Sequence, residues 1–322
     1  MTDCTTSHAG IELDLIDLPG RSKDKIDSRA FVKYIFQKML EDESFLSFFV
    51  QVRDVNKILK TKYSSADDIA MVILKDASLT SKLLKLVNSS FYGQFSNKGI
   101  ANISEAMVIL GTAEIELAAL SLKIYELMLG TANIKILKDK ALRALQRSII
   151  ARAIIIGSDI KNAEAIQVSA MLYDFGEYLL ALFSPKIFLN IEIYADENGL
   201  SSEQASKFII GISYNELGRL VASKWKLPSS IISAMKPITE FNINKARLTF
   251  HEFQRNICAF SNELCNIEFS MDRKYIDLKI SDISKKYKKA LGITASEASG
   301  LLNMSWNKII KHASILKMNI KK

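Results

Sequence analysis

The stretch Asp76-Ala77-Ser78-Leu79, Leu83-Leu84-Lys85-Leu86-Val87-Asn88-Ser89-Ser90-Phe91-Tyr92-Gly93, then Ile103-Ser104-Glu105-Ala106 to Leu110-Gly111, decides how the chain is read. Leu79, Leu83, Leu86 and Val87 recur at helical spacing, which places them on one face. Asn88-Ser89-Ser90 leaves that helix, because short polar side chains compete for backbone hydrogen bonds. Gly93 supplies the positive φ of a sharp exit. Asn102 caps the next helix, with Glu105 folding back on it, and Gly111 ends it. The residues alone predict a helix-turn-helix corner buried in a helical domain.

The rest of the composition agrees. The chain has 322 residues, of which 48% are hydrophobic and 24% charged, the balance of an ordinary globular protein with a large core. Only four prolines and thirteen glycines leave room for long uninterrupted helices. Strict period-2 runs are scarce, so an all-α fold is expected. Three cysteines, Cys4, Cys258 and Cys265, are too few and too odd for a disulfide framework and point to a reducing compartment. Cys258 and Cys265 are expected to pack on one helix face. No apolar run reaches the roughly 18 residues that span a bilayer. The N-terminus lacks a basic-then-apolar signal pattern. A cytoplasmic location without membrane contact is the expectation.

Charge is uneven along the chain. From residue 270 onward twelve Lys and Arg face four Asp and Glu, which accounts for the whole net charge of +8. Lys285, Lys286, Lys288 and Lys289 surround Tyr287, and Lys308, Lys311, Lys317, Lys321 and Lys322 follow.

Helical periodicity divides the chain. Residues 1–23 read as a tail, and residues 24–240 as one helical domain with an N-terminal bundle over about 30–130 and a second part over about 137–240. Residues 241–322 read as a basic helical extension. Within these, Leu137–Ile156 and Ala163–Phe183 are expected helices, the second ended by Pro185. Ser201 with Gln204 and Ser213 with Glu216 form capping boxes. Trp225 and Leu227-Pro228 close the helix that the second box opens. Asn242–Ile267 is expected as one long helix, followed by Ile283–Leu291 and Glu297–Leu316.

The wording of three segments resembles the HDOD family, bacterial signalling domains related to the HD phosphohydrolases. They are Asn88-Ser-Ser-Phe-Tyr-Gly93 with the Ile-x-x-Ala-x-x-x-Leu-Gly helix after it, Val168–Gly176, and Gly211–Pro228 with Glu216, Gly218, Trp225, Leu227 and Pro228. The resemblance implies a helical HD-related fold and a part in signal transduction. It also implies where a metal cluster would stand. Asp174 is kept, but Tyr173 and Tyr214 occupy positions where the family's pattern has His. Arg147-Ser148 stands where a His-Ser is common, and Lys236-Pro237 where His residues often fall.

The chain has three histidines, His8, His251 and His312, and they lie outside the matched region. They cannot rebuild a His-rich dinuclear site. A phenol must lose a proton to ligate and a guanidinium cannot ligate at all. No catalytic residue, metal or cofactor is therefore assigned. Arg147, Tyr173, Asp174, Tyr214 and Lys236 are expected either to line a vestigial polar pocket for an anionic small ligand, or to pair with one another and fill former ligand space. Asn88, Phe91, Tyr92 and Gly93 form a possible interaction motif, or pack within their own corner. The expected function is a non-catalytic regulatory module that binds another signalling protein or a small ligand. Two alternatives stay open: a metal-dependent phosphohydrolase with an unusual site, and a nucleic-acid binder working through the basic C-terminal segment.

Overall fold

Apolar residues spaced at three and four carry most of the described residues into α-helix. The structure is a computed structural model that describes residues 21–22, 25–42, 73–74, 80–81, 83–84, 100–111, 115, 119, 135–155, 163–238, 241, 244–267 and 272–315. The protein is all-α. Among the described residues, extended pairing is limited to a two-residue antiparallel hairpin, β1 (Arg21–Ser22) on β2 (Lys25–Ile26).

The helices follow in order. α1 is Ser28–Glu41, α2 Ile103–Leu110 and α3 Lys135–Ile155. α4 is Ala163–Met171, α5 Phe175–Phe183 and α6 Pro185–Asn198. α7 is Ser202–Ile210, α8 Tyr214–Lys224 and α9 Ser229–Ala234. A 3-10 turn at Lys245–Arg247 leads into α10 (Phe250–Cys265), α11 (Arg273–Leu291) and α12 (Ala295–Ile315).

Several helix starts are set by side chains that satisfy orphan backbone groups, each such cap contributing about 1 kcal/mol. Asn102 Oδ1 accepts the Glu105 N–H at 2.8 Å, and the Glu105 carboxylate accepts the Ala101 N–H at 2.8 Å. Gly111 leaves α2 at φ 90°. Both expected capping boxes are present, Ser201 with Gln204 at α7 and Ser213 with Glu216 at α8.

Three helical stretches differ from the sequence expectation, one of them α11, which starts at Arg273 and not at Ile283. Ala163–Phe183 is two helices rather than one, broken at Leu172-Tyr173-Asp174, and Pro185 opens α6 as its first residue instead of only ending α5. Proline's missing N–H costs nothing at a helix start, so Pro185 is as well placed there as at an end. Asn242–Ile267 is not one helix, because a Thr249–Glu252 capping box starts α10 at Phe250.

Side-chain burial gathers three cores. The first takes Phe31, Ile35 and Met39 of α1, Leu137, Ala141 and Ala144 from the first half of α3, and the inner faces of α5 to α9 around Phe175, Tyr178 and Trp225. The second takes Ile150, Ala151 and Ile155 from the last turns of α3, Ile166 and Ala170 of α4, and Cys258, Phe260, Tyr287 and Leu302 of α10 to α12. It spans residues on both sides of position 240. The third gathers Ile73, Leu83, Ile103, Ala106, Met107 and Ile115 around α2. Leu83, Ile103 and Ala106 come from the stretch that opened the sequence reading. Leu79, Leu86 and Val87 lie outside the described residues.

Candidate functional site

α3 carries Lys140, Arg143 and Arg147 at helical spacing, so one face of the helix presents three cations. Opposite it, the chain leaves α4 and re-enters helix at α5. Asp174 sits at the N-terminal boundary of α5, with φ −103° and ψ 27°, and its side chain makes no capping bond. Its carboxylate is thereby directed to the cations instead of to its own helix.

Arg147 Nη1 meets Asp174 Oδ2 at 2.7 Å and Asn262 Oδ1 at 3.2 Å, while Nε donates to the Ala170 carbonyl at 3.1 Å. The Arg147 side chain is 3% exposed and that of Asp174 20%. Three acceptors satisfy one buried guanidinium, the condition under which such a charge is tolerated. Burial pushes the Asp174 carboxyl above its ordinary value, Arg147 opposes that rise, and Glu177 adds to it. Beside this pair Lys140 Nζ meets Glu177 Oε1 at 2.5 Å.

The two tyrosines part company. Tyr214 opens α8 and is buried; its hydroxyl donates to Glu192 Oε1 at 3.0 Å, and Ser202 donates to Glu192 Oε2 at 3.1 Å. Burial, and then the neighbouring Glu192 carboxylate, push its phenol far above its ordinary value. Tyr173 is half-buried in the α4–α5 turn and packs on the second core. Burial raises its phenol as well, with Asp174 adding to the rise. Lys236 follows α9 with its side chain exposed, and its carbonyl accepts from Arg255 Nε at 3.4 Å.

The structure thus joins Arg147 to Asp174, keeps Tyr173 next to them along the chain, ties Tyr214 to Glu192, and leaves Lys236 at the surface. Asn88, Phe91, Tyr92 and Gly93 lie outside the described residues. Sequence reasoning missed Asn262 and Glu192. Glu192 and Tyr214 are 22 positions apart and Asn262 is 115 from Arg147, so no local pattern announces either contact. The Lys140–Arg143–Arg147 spacing on α3 was a usable signal.

An HD-type metal centre needs neutral imidazoles and carboxylates with lone pairs free to ligate. Here a guanidinium fills the space in front of Asp174, and Tyr214 is a protonated phenol committed to a carboxylate. These side chains do not fit a metal centre. Among the described residues no three His, Cys, Asp or Glu side chains gather as ligands.

Fold and site together define an HD-related helical domain. Residues 47–240 match the HDOD domain, and the chain belongs to the HDOD family. A Treponema pallidum (strain Nichols) protein described as uncharacterized is 23% identical over 185 residues, which is 57% of this chain and 35% of that protein. The chain therefore spans about a third of the length of that curated relative. Among solved structures, an HDOD domain protein of unknown function from Geobacter sulfurreducens superimposes with a TM-score of 0.59 at 20% identity, covering 88% of this chain and 97% of the other. A candidate phosphohydrolase from Shewanella amazonensis SB2B gives a TM-score of 0.59 at 15% identity, covering 86% and 97%. At these identities the likeness establishes the fold. Its coverage exceeds the family-matched segment, so the shared architecture is wider than residues 47–240.

Proposed function

We propose that the chain is a non-catalytic signal-transduction module that acts by binding another protein or an anionic small ligand. Membership of the HDOD family supports the regulatory role. The observation that carries the non-catalytic part is the 2.7 Å ion pair of Arg147 with Asp174, which commits the one retained acidic ligand position to an internal cation. Burial of Arg147 and Tyr214 weighs toward a protein partner on the surface over a small molecule in the former ligand space. Among the described residues no helix is long and apolar enough to cross a membrane.

Two measurements test this. Purified protein is incubated with Mn2+ and a chromogenic phosphomonoester or phosphodiester, with Asp174→Ala as the control. No metal-dependent phosphate release is expected, and release that Asp174→Ala abolishes would overturn the non-catalytic assignment. Cross-linking capture from lysate, followed by rebinding of the recovered protein in purified form, tests the binding role. A partner that rebinds supports it, and failure of every recovered protein to rebind counts against it.

A further inference from the structure

We infer that the outward face of α11 docks on the phosphodiester backbone of nucleic acid. It stands independently of the regulatory role proposed above, because it uses no residue of the Arg147–Asp174 site.

Ile276, Ile280, Ile283, Tyr287 and Ala290 turn one side of α11 onto the second core. At about 100° per residue the opposite side centres on Lys274, Leu278, Lys285 and Lys289, with Lys288 beside them. All five are exposed. Lys286, on the flank, is already engaged by Glu263 at 2.6 Å. Lys285 meets Asp282 at 3.6 Å, but both side chains are more than two-thirds exposed, and a pair so solvated is worth little. Asp277 and Asp282 are the acids of the helix, Asp272 is its N-cap, and no acid follows Asp282 before the helix ends.

The helix dipole accounts for part of this pattern only. Lys288 and Lys289 occupy the last turn, where a cation is favourable. Arg273 and Lys274 occupy the first turn, where the same dipole opposes a cation, so helix stability does not explain them. The lysine row from Lys274 to Lys289 runs for roughly 22 Å, about six phosphates along one strand. Tyr275 stands exposed at its edge with Lys279 Nζ 5.2 Å from the ring centre, an aromatic placed among cations.

Other partners match this face less well. A membrane surface needs a continuous apolar stripe, and the centre of this face offers Leu278 alone. Protein interfaces are depleted in lysine and rely on buried aromatic anchors. A row of lysines without such an anchor suits a polyanion contacted through its backbone.

The test uses full-length protein and a short fluorescent DNA duplex, read by anisotropy across a salt series. Four phosphate contacts give a log–log salt slope of about −3.6. The triple reversal Lys285→Glu/Lys288→Glu/Lys289→Glu is expected to weaken binding at least about tenfold and to flatten that slope by roughly 3. A charge-matched triple on other helices, Lys33→Glu/Lys138→Glu/Lys224→Glu, is expected to retain most of the affinity. An unchanged melting temperature verifies that each variant folds. Equal losses in both triples, absence of binding at low salt, or binding to phosphatidylserine vesicles in place of the duplex would each overturn the inference.

Discussion

Gly176 and Gly218 hold the backbones of α5 and α8 in direct contact. A Cβ on Gly176 would stand 1.8 Å from the Tyr214 carbonyl oxygen and 2.6 Å from the Gly218 nitrogen, and a Cβ on Gly218 would stand 2.8 Å from the Gly176 nitrogen. The obstructing atoms are mostly backbone, which cannot swing aside. One end of this crossing is packed by Phe175 and Trp225, whose ring centres are 5.0 Å apart. The same crossing sets Asp174, two residues before Gly176, and Tyr214, four before Gly218, at their places in the site.

Alanine in a helix is ordinarily worth about 1 kcal/mol over glycine, so the sign of the effect is diagnostic here. Gly176→Ala is expected to destabilise by about 3 kcal/mol through overpacking, and Gly218→Ala by less, since one of its neighbours is the movable Met235 side chain. Urea unfolding of the two variants measures both. A stabilised Gly176→Ala protein would show that the helices can separate at no cost.

Arg147→Met removes the cation and leaves Asp174 half-sealed with its charge. A loss of about 3 kcal/mol is expected, with the double variant Arg147→Met/Asp174→Asn recovering much of it. The loss has a pH signature. Without the guanidinium the Asp174 carboxyl rises further above its unfolded value, so the penalty is largest at neutral pH, where the group must stay ionised. It fades as pH falls through the raised folded value. Chemical denaturation at neutral and mildly acidic pH, compared for the three proteins, checks both points.

Glu192 offers a second titration. Burial pushes its carboxyl up, with Glu177 adding and the Tyr214 hydroxyl opposing. A carboxyl whose folded value is raised costs stability above that value and ceases to cost as pH falls through it. Glu192→Gln removes the charge, keeps its carbonyl oxygen as acceptor for the Tyr214 hydroxyl and presents its NH2 to the Ser202 hydroxyl, which can accept. It is expected to match or exceed the parent in melting temperature at alkaline pH, with the advantage gone on acidification below the ordinary glutamate range.

Lys226 adopts φ 57° after the C-cap of α8, where the Leu227 N–H returns to the Ala222 carbonyl at 3.1 Å. This left-handed position favours glycine by about 1–2 kcal/mol, partly offset by glycine's greater entropy when unfolded. Lys226→Gly is expected to stabilise by roughly 0.5 kcal/mol in thermal unfolding, while alanine at the same position gains nothing.

What the sequence made legible was local. Ser201 with Gln204 and Ser213 with Glu216 act over three residues, and each pair does in space what its spacing implies, whereas Asn102 caps the Glu105 N–H but the Glu105 carboxylate returns to Ala101 instead of Asn102. Thr249 with Glu252 carries the same signature, but apolar residues upstream suggested an earlier start for the helix. Asp174 shows where sequence reading stopped. The resemblance singled it out, yet its environment depends on Arg147 from α3 and on Asn262 from α10, elements joined only once three helices pack. The closeness of Gly176 and Gly218 was equally hidden, because a glycine required by a crossing reads like any other until its neighbour is known.

α3 has its roots in two places. Leu137, Ala141 and Ala144 anchor its first half in one core and Ile150, Ala151 and Ile155 anchor its end in another, with Arg147 between the two sets. Its 21 residues make a rod of about 31 Å. Such a rod ties the two cores together along one axis, and the salt bridge to Asp174 sits at the point between its two anchorages.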